Sequence, residues 1–156
     1  MLALAGALIL TISVSGCYLG TAAKERGQGR EIGLKLVDYI NAQDTASIVQ
    51  LFSEKVQENC DLNEEIENLY AALGSDIKSY KRLNSTDSEV WYDDWKLTHA
   101  IISVEFYDVI TEDGMKFKEL SVSYIAVDKD EDNVGIAVIS LRGDDKETVF
   151  VGGYTD

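Results

Sequence analysis

The hydrophobic positions change their spacing twice along this chain. Residues 1–16 carry no charge, and residues 2–14 are apolar except for Gly6, Thr11 and Ser13. Residues 18–30 sustain no apolar period; Gly20, Gly27 and Gly29 stand among polar side chains, the composition of a flexible tether. From residue 31 the spacing is helical: Ile32, Leu36, Tyr39 and Ile40 form a stripe that Leu34 and Val37 widen. Asp44 is placed to cap a second short helix burying Ile48, Val49, Leu51 and Phe52. Asp61 and Glu64 make a capping-box-like start to a third helix, with Leu62, Ile66, Leu69, Tyr70 and Leu73 on one face and Gly74 as its stop.

After Gly74 the period falls from near 3.6 to 2. Residues 77–83 read as a first strand, and residues 96–111 as a long one with Ala100, Ile102, Val104, Phe106 and Ile110 on one face. Its other face, with His99, Ile101, Ser103, Glu105, Tyr107 and Val109, is mixed, as a partly wet face is. A turn at Thr111-Glu112-Asp113-Gly114 leads into a strand over 115–127, a polar loop follows, and residues 134–142 and 147–151 complete a meander. Helices followed by antiparallel strands predict an α+β fold, three N-terminal helices covering one face of a curved sheet.

The apolar N-terminus closes on Val14-Ser15-Gly16-Cys17, a lipobox in which small residues fit a signal peptidase and the cysteine thiol takes a lipid. The run is shorter than the roughly 20 residues a spanning helix needs, and has the length of a signal-peptide core. The first basic residue is Lys24, so this reading places the basic leader of the signal upstream of Met1. The expected organisation is a lipoprotein signal peptide over 1–16, lipidated Cys17 with a tether over 17–30, and one domain over 31–156. The expected location is the outer face of the cytoplasmic membrane, with the membrane held through the N-terminal lipid. Acylation of Cys17 leaves Cys60 alone, which excludes an intrachain disulfide and makes Cys60 a small packed hydrophobe.

Charge narrows the partners. The chain has 14 Lys plus Arg against 28 Asp plus Glu, a net of −14. Nucleic acid and anionic headgroups both require positive patches, so nucleic-acid binding is disfavoured. The acidic run Asp128-Lys129-Asp130-Glu131-Asp132-Asn133 invites a calcium reading, but it lacks the glycine and glutamate of an EF-hand and lies between strands. A solvated hairpin loop is the preferred reading, and no metal or cofactor is expected. His99 is the sole histidine, and Glu105, the nearest same-face carboxylate on its strand, is some 20 Å away at about 3.3 Å per residue. No catalytic residues emerge, and neither a phosphate loop, a CxxC pair, a GxSxG elbow nor an HExxH helix occurs. Trp91-Tyr92-Asp93-Asp94-Trp95 concentrates both tryptophans beside two acids, a composition shared by ligand pockets, interfaces and sheet corners.

Asp38-Tyr39-Ile40-Asn41-Ala42-Gln43-Asp44 after a helix, then Ile48-Val49-Gln50-Leu51-Phe52-Ser53, resembles the opening of NTF2-like domains. In those, a short acidic step separates two helices that pack into a curved antiparallel sheet, forming a cone with a pocket. The lipobox, the third helix, the strand ending in Thr-Glu-Asp-Gly and the strand Val-Gly-Ile-Ala-Val-Ile-Ser-Leu (134–141) are together similar to a domain-of-unknown-function family of NTF2-like lipoproteins from Gram-positive bacteria. The resemblance covers roughly residues 31–142 and brings no established catalytic residues. The anchor, the aromatic residues and the lack of catalytic signatures point to a non-enzymatic binding module holding a small apolar ligand in its cone, with Tyr80, Trp91, Trp95, Phe106 and Tyr124 as candidate walls. The competing expectations are an envelope interaction or homodimerisation module working through the mixed sheet face, and an enzyme resembling ketosteroid isomerase, with a buried carboxylate beside a tyrosine.

Overall fold

The computed structural model describes residues 23–144 and 147–153. The expected signal peptide over 1–16 and the lipid site Cys17 lie outside the described residues. Helix α1 runs over residues 23–41, followed by α2 (Thr45–Val49), α3 (Glu54–Asn59) and α4 (Leu62–Leu73). Six antiparallel strands come next: β1 (Ile77–Ser79), β2 (Arg82–Asp93), β3 (Lys96–Thr111), β4 (Lys116–Val127), β5 (Gly135–Gly143) and β6 (Val149–Gly152). The fold is α+β, with the helices ahead of the sheet in sequence. Among the described residues no helix is long and apolar enough to cross a membrane.

The tether expected over 17–30 is corrected for residues 23–30, which are helical. Gly29 and Gly33, one turn apart, form the face that α1 lays on the sheet. A Cβ at Gly29 would fall 2.6 Å from Ile102 Cγ2, and one at Gly33 2.7 Å from Val104 Cγ1. Glycine serves here for close backbone approach, so a residue type that signals a loop instead marks a contact. Arg26 ties the same end to the sheet: its guanidinium bonds Asp87 at 2.7 Å, and its carbonyl accepts the Ser85 hydroxyl at 2.8 Å.

Each short helix begins at a side-chain cap. The Asp44 carboxylate accepts from Ser47 N–H at 3.1 Å, Ser53 Oγ from Val56 N–H at 3.4 Å, and Asp61 from Glu64 N–H at 3.3 Å. Gly74 ends α4 by donating its N–H to the Tyr70 carbonyl at 2.9 Å. The second expected helix stops at Val49, and Leu51 and Phe52 turn back to the sheet. Helix α3 escapes a periodicity scan because it buries Val56 alone.

Strand β3 is the spine of the sheet. Strands β1 and β2 both pair with one flank of it, while β4, β5 and β6 follow in order on the other. The single first strand expected over 77–83 is corrected to two: β1 ends at Ser79, and β2 runs from Arg82 on to Asp93, its charges tolerated because its far edge is unpaired among the described residues and both its faces are half wet. The core lies between the helices and one sheet face, where Leu36, Ile48, Ile66 and Leu69 meet Ile102, Phe106, Leu120 and Ile139. A second correction falls near the end of β3. Asp108 takes a φ of 52°, which reverses the alternation, so Val109 enters the core and Ile110 does not.

Candidate functional site

The five candidate pocket residues do not form one wall. Phe106 is fully buried in the core, with the Tyr80 ring edge-on to it at 4.9 Å. Tyr124 is also a core residue, on β4 opposite Ile102. Trp91 and Trp95 lie at the far end of the β2–β3 hairpin, 60% and 94% exposed. Trp95 sits in the turn and Trp91 on the edge strand β2, positions left largely exposed, whereas Phe106 and Tyr124 alternate inward.

What the structure does bring together is His99, Asp128 and Trp91. Trp91 faces His99 directly across β2–β3, and their rings lie 4.9 Å apart with a 35° tilt. Asp128 follows Val127, which pairs with Ala100, so the β3–β4 register delivers a carboxylate beside the histidine. His99 Nδ1 is 2.7 Å from Asp128 Oδ2, with both side chains largely buried. An ionised carboxylate only accepts, so Nδ1 carries the hydrogen. The other Asp128 oxygen accepts from Asp130 N–H at 2.9 Å and from the Asn133 amide at 3.3 Å. Burial pushes the Asp128 carboxyl up; the Asp130 N–H, the His99 ring and the Asn133 amide outweigh it and hold the group below its ordinary value. The pairing joins different strands and could be found only through their register.

This network also settles the shape of the acidic loop. Asp130 caps a turn of 3₁₀ helix over Glu131–Asn133, so two of the loop's carboxylates are turned onto its own backbone. Among the described residues no three His, Cys, Asp or Glu side chains converge as a metal site. Nor does any serine, threonine or cysteine of the described residues hydrogen-bond the His99 ring, as a nucleophile activated by a His–Asp pair would.

Asp128 opens onto a cleft of about 710 Å³ between the α2–α3 corner and the β4–β5 loop. Phe52, Ala126, Val127 and Val134 give it an apolar floor; Glu54, Gln57, Asp128 and Glu131 give it a polar rim. The corner is stitched to β5 through Ser53 N–H to the Ile136 carbonyl at 3.1 Å and Ile136 N–H to the Leu51 carbonyl at 2.8 Å. Gly135, at a φ of 140°, permits that approach: a Cβ there would lie 2.5 Å from Ser53 N. Two further hollows lie at Asp108, one of about 220 Å³ with Lys116 and Lys118, the other of about 450 Å³ with Lys81 and Arg82.

A family model described as Domain of unknown function (DUF5104) matches residues 35–147. The chain belongs to the DUF5104 family. The match spans α1 from Lys35 through the whole run of α2 to β5, so the cleft, the His99–Asp128 pair and the exposed hairpin all lie within the DUF5104 region. No curated protein matches the sequence.

Two further groups in the DUF5104 fold bear on chemistry. Glu25 on α1 is only 7% exposed, and burial together with the Glu25 charge raises the Tyr124 phenol above its ordinary value. A carboxylate near a phenol is what a proton-abstraction reading requires, yet neither residue lines the three hollows described above. Cys60 is free and half-buried; burial, aided by the Glu65 charge, raises its thiol, which disfavours the nucleophilic thiolate.

Proposed function

We propose that this DUF5104 protein is an NTF2-like binding module, held through a lipid on Cys17 at the outer face of the cytoplasmic membrane, that takes a small ligand without transforming it. The helices-then-sheet order supports the NTF2-like reading, and the lipobox supports the anchor. The observation that carries the binding reading is the cleft of about 710 Å³ beside Asp128, with its apolar floor and convergent polar rim. The space between helices and sheet is lined by Phe106, Ile102, Leu120 and Ile139 packed together, so support for a ligand moves from the cone interior to this cleft. Its carboxylates favour a ligand with an apolar part for the floor and an ammonium or several N–H donors for the rim.

Amide and methyl NMR titration with an alkylamine, a neutral alcohol of equal length and the matching fatty acid tests this. The amine is expected to move the signals of Phe52, Val127 and Val134 at the lowest concentration, and the fatty acid is expected to move none. Glu54→Gln should weaken the amine about fivefold, near 1 kcal/mol, the order of one partly exposed charge pair. Shifts confined to the helix–sheet core, or none with any probe, would overturn the cleft as the site.

A second reading, an envelope interaction or homodimerisation module, is favoured by Phe150. It lies 60% exposed opposite Ser140 on the short edge strand β6. Light scattering across concentration decides it: a dimer that Phe150→Asp dissociates supports this reading, and a monomer throughout counts against homodimerisation.

A further inference from the structure

The tip of the β2–β3 hairpin breaks two local rules at once. Its turn places Asp94 at a φ of 46° and Trp95 at 65°, the left-handed pair that a two-residue hairpin demands and that asparagine and glycine ordinarily fill. A bulky side chain there is an outlier, and outliers of this kind gather where function requires them. The strain is not offset by packing, since Trp95 is 94% exposed and Trp91 60% exposed. A turn that holds an indole out in water is shaped for something that takes indoles.

The direction of α1 says what lies beyond the tip. Gly29 packs on Ile102 and Val104, Gly33 on Val104 and Phe106, and Asn41 bonds Ile77, which pairs with Thr111. Helix α1 therefore runs alongside β3 in the same direction, and its first residue, Ala23, lies towards the end of the sheet where the hairpin turns. Arg26 lies level with Asp87, the partner of Ile102. From Ile102 back to Lys96 the strand extends roughly 20 Å at about 3.3 Å per residue. From Arg26 back to Cys17 the chain can reach at most roughly 30 Å when extended. A lipid on Cys17 can thus lie level with Trp95 in the bilayer surface.

Charge agrees with that placement. The molecule is acidic throughout, with a net of −14, and an anionic leaflet repels it. At the tip Asp93 and Asp94 are set against Lys96 and Lys129, and Lys129 Nζ lies 3.6 Å from Asp93. The acidic loop over residues 128–133 leaves the end of β4 alongside this part of the hairpin, with Lys129 bridging the two, so the tip's own charges balance while the loop beside it stays acidic, which suits a zwitterionic headgroup layer better than an anionic one. A locally balanced, tryptophan-bearing projection on an acidic body matches the headgroup region of a bilayer, where tryptophan collects because its ring is apolar and its N–H is not.

We propose that the hairpin tip is a membrane foot: with the chain anchored at Cys17, the indoles of Trp95 and Trp91 seat among the lipid headgroups and fix the domain with this end of the sheet towards the bilayer. The inference rests on the lipid-anchor reading above. It adds an orientation, in which the cleft beside Asp128 faces the membrane surface.

The test uses the full chain purified from membranes with Trp91→Phe, so that Trp95 is the sole tryptophan and is excited selectively over the tyrosines, reconstituted into phosphatidylcholine vesicles after intact-mass analysis of Cys17. The expected result is a blue shift of Trp95 emission, a several-fold loss of quenching by aqueous acrylamide, and quenching by lipids labelled near the headgroup. Trp95→Gly relieves the turn, so it folds; with Trp91 retained it should stay on vesicles through its lipid yet lose amide-exchange protection along the hairpin. A lipidated chain whose Trp95 is as accessible to acrylamide on vesicles as in detergent-free solution overturns the foot and leaves the anchor standing, pointing to a protein partner. An unlipidated Cys17 overturns both, and the mass spectrum tells the two failures apart.

Discussion

Asp128 shows how one side chain serves several masters. It fixes the His99 ring, holds the loop over residues 128–133 against β4 and forms part of the cleft rim. Its carboxyl is held below the ordinary value, so the folded state favours the ionised form. The resulting stabilisation is complete above the unfolded carboxyl's value near pH 4 and is lost as pH falls through the lower folded value. Asp128→Asn removes that dependence. The variant should lose about 1.5 kcal/mol at pH 7, the low end for hydrogen bonds to a charged group, and should show a flatter decline in stability between pH 5 and pH 2. Urea unfolding at a series of pH values reads both; a variant that declines as steeply as the parent would assign the acid sensitivity to other carboxylates. None of this was visible along the strand, because His99 and Asp128 lie 29 residues apart and meet only through the β3–β4 register.

At the scale of elements, legibility followed burial on one face. Strands β3, β4 and β5 alternate because one side meets the helices, and α4 shows a stripe because it buries Leu62, Ile66, Leu69 and Leu73. Strand β2 has no such contrast: Leu83, Ser85 and Asp87 face inward, the last two meeting the polar flank of α1. The first turns of α1 were illegible for the opposite reason, since contact there is made by glycines that a hydrophobic scan counts as breaks. That contact is testable. Gly29→Leu adds helix propensity but drives carbon atoms into Ile102, itself fully buried, and overpacking of this kind costs about 1–3 kcal/mol. Chemical denaturation should therefore show a loss, whereas Gly27→Leu, with nothing within 4 Å of a new Cβ, should gain a few tenths to about 1 kcal/mol. A Gly29→Leu variant as stable as the parent would mean that α1 does not rest on the sheet at this point.

For the whole molecule the dominant long-range force is its own charge. With 28 acidic residues against 14 basic ones, at least half the carboxylates have no basic residue to pair with. The pairs that do form are mostly at the surface, such as Lys78–Glu112 at 3.2 Å, Lys81–Asp108 at 3.3 Å and Lys118–Asp144 at 3.3 Å, each worth at most about 1 kcal/mol. Repulsion among the remaining carboxylates acts over the width of the domain, about 30 Å, when the Debye length is comparable, as it is near 0.01 M salt; near 0.1 M the length shrinks to about 10 Å. Salt screens attraction in those pairs and repulsion among the rest, and the excess of carboxylates makes repulsion the larger loss. Raising sodium chloride from 0.01 to 0.1 M should consequently stabilise the fold by about 1 kcal/mol, a rise in Tm of about 3–5 °C. A Tm that falls over the same range would show that the ion pairs outweigh the net charge. On the membrane-foot proposal, the same screening brings the acidic body closer to an anionic leaflet, so salt and the hairpin tip would act together in setting how near the cleft stands to the membrane.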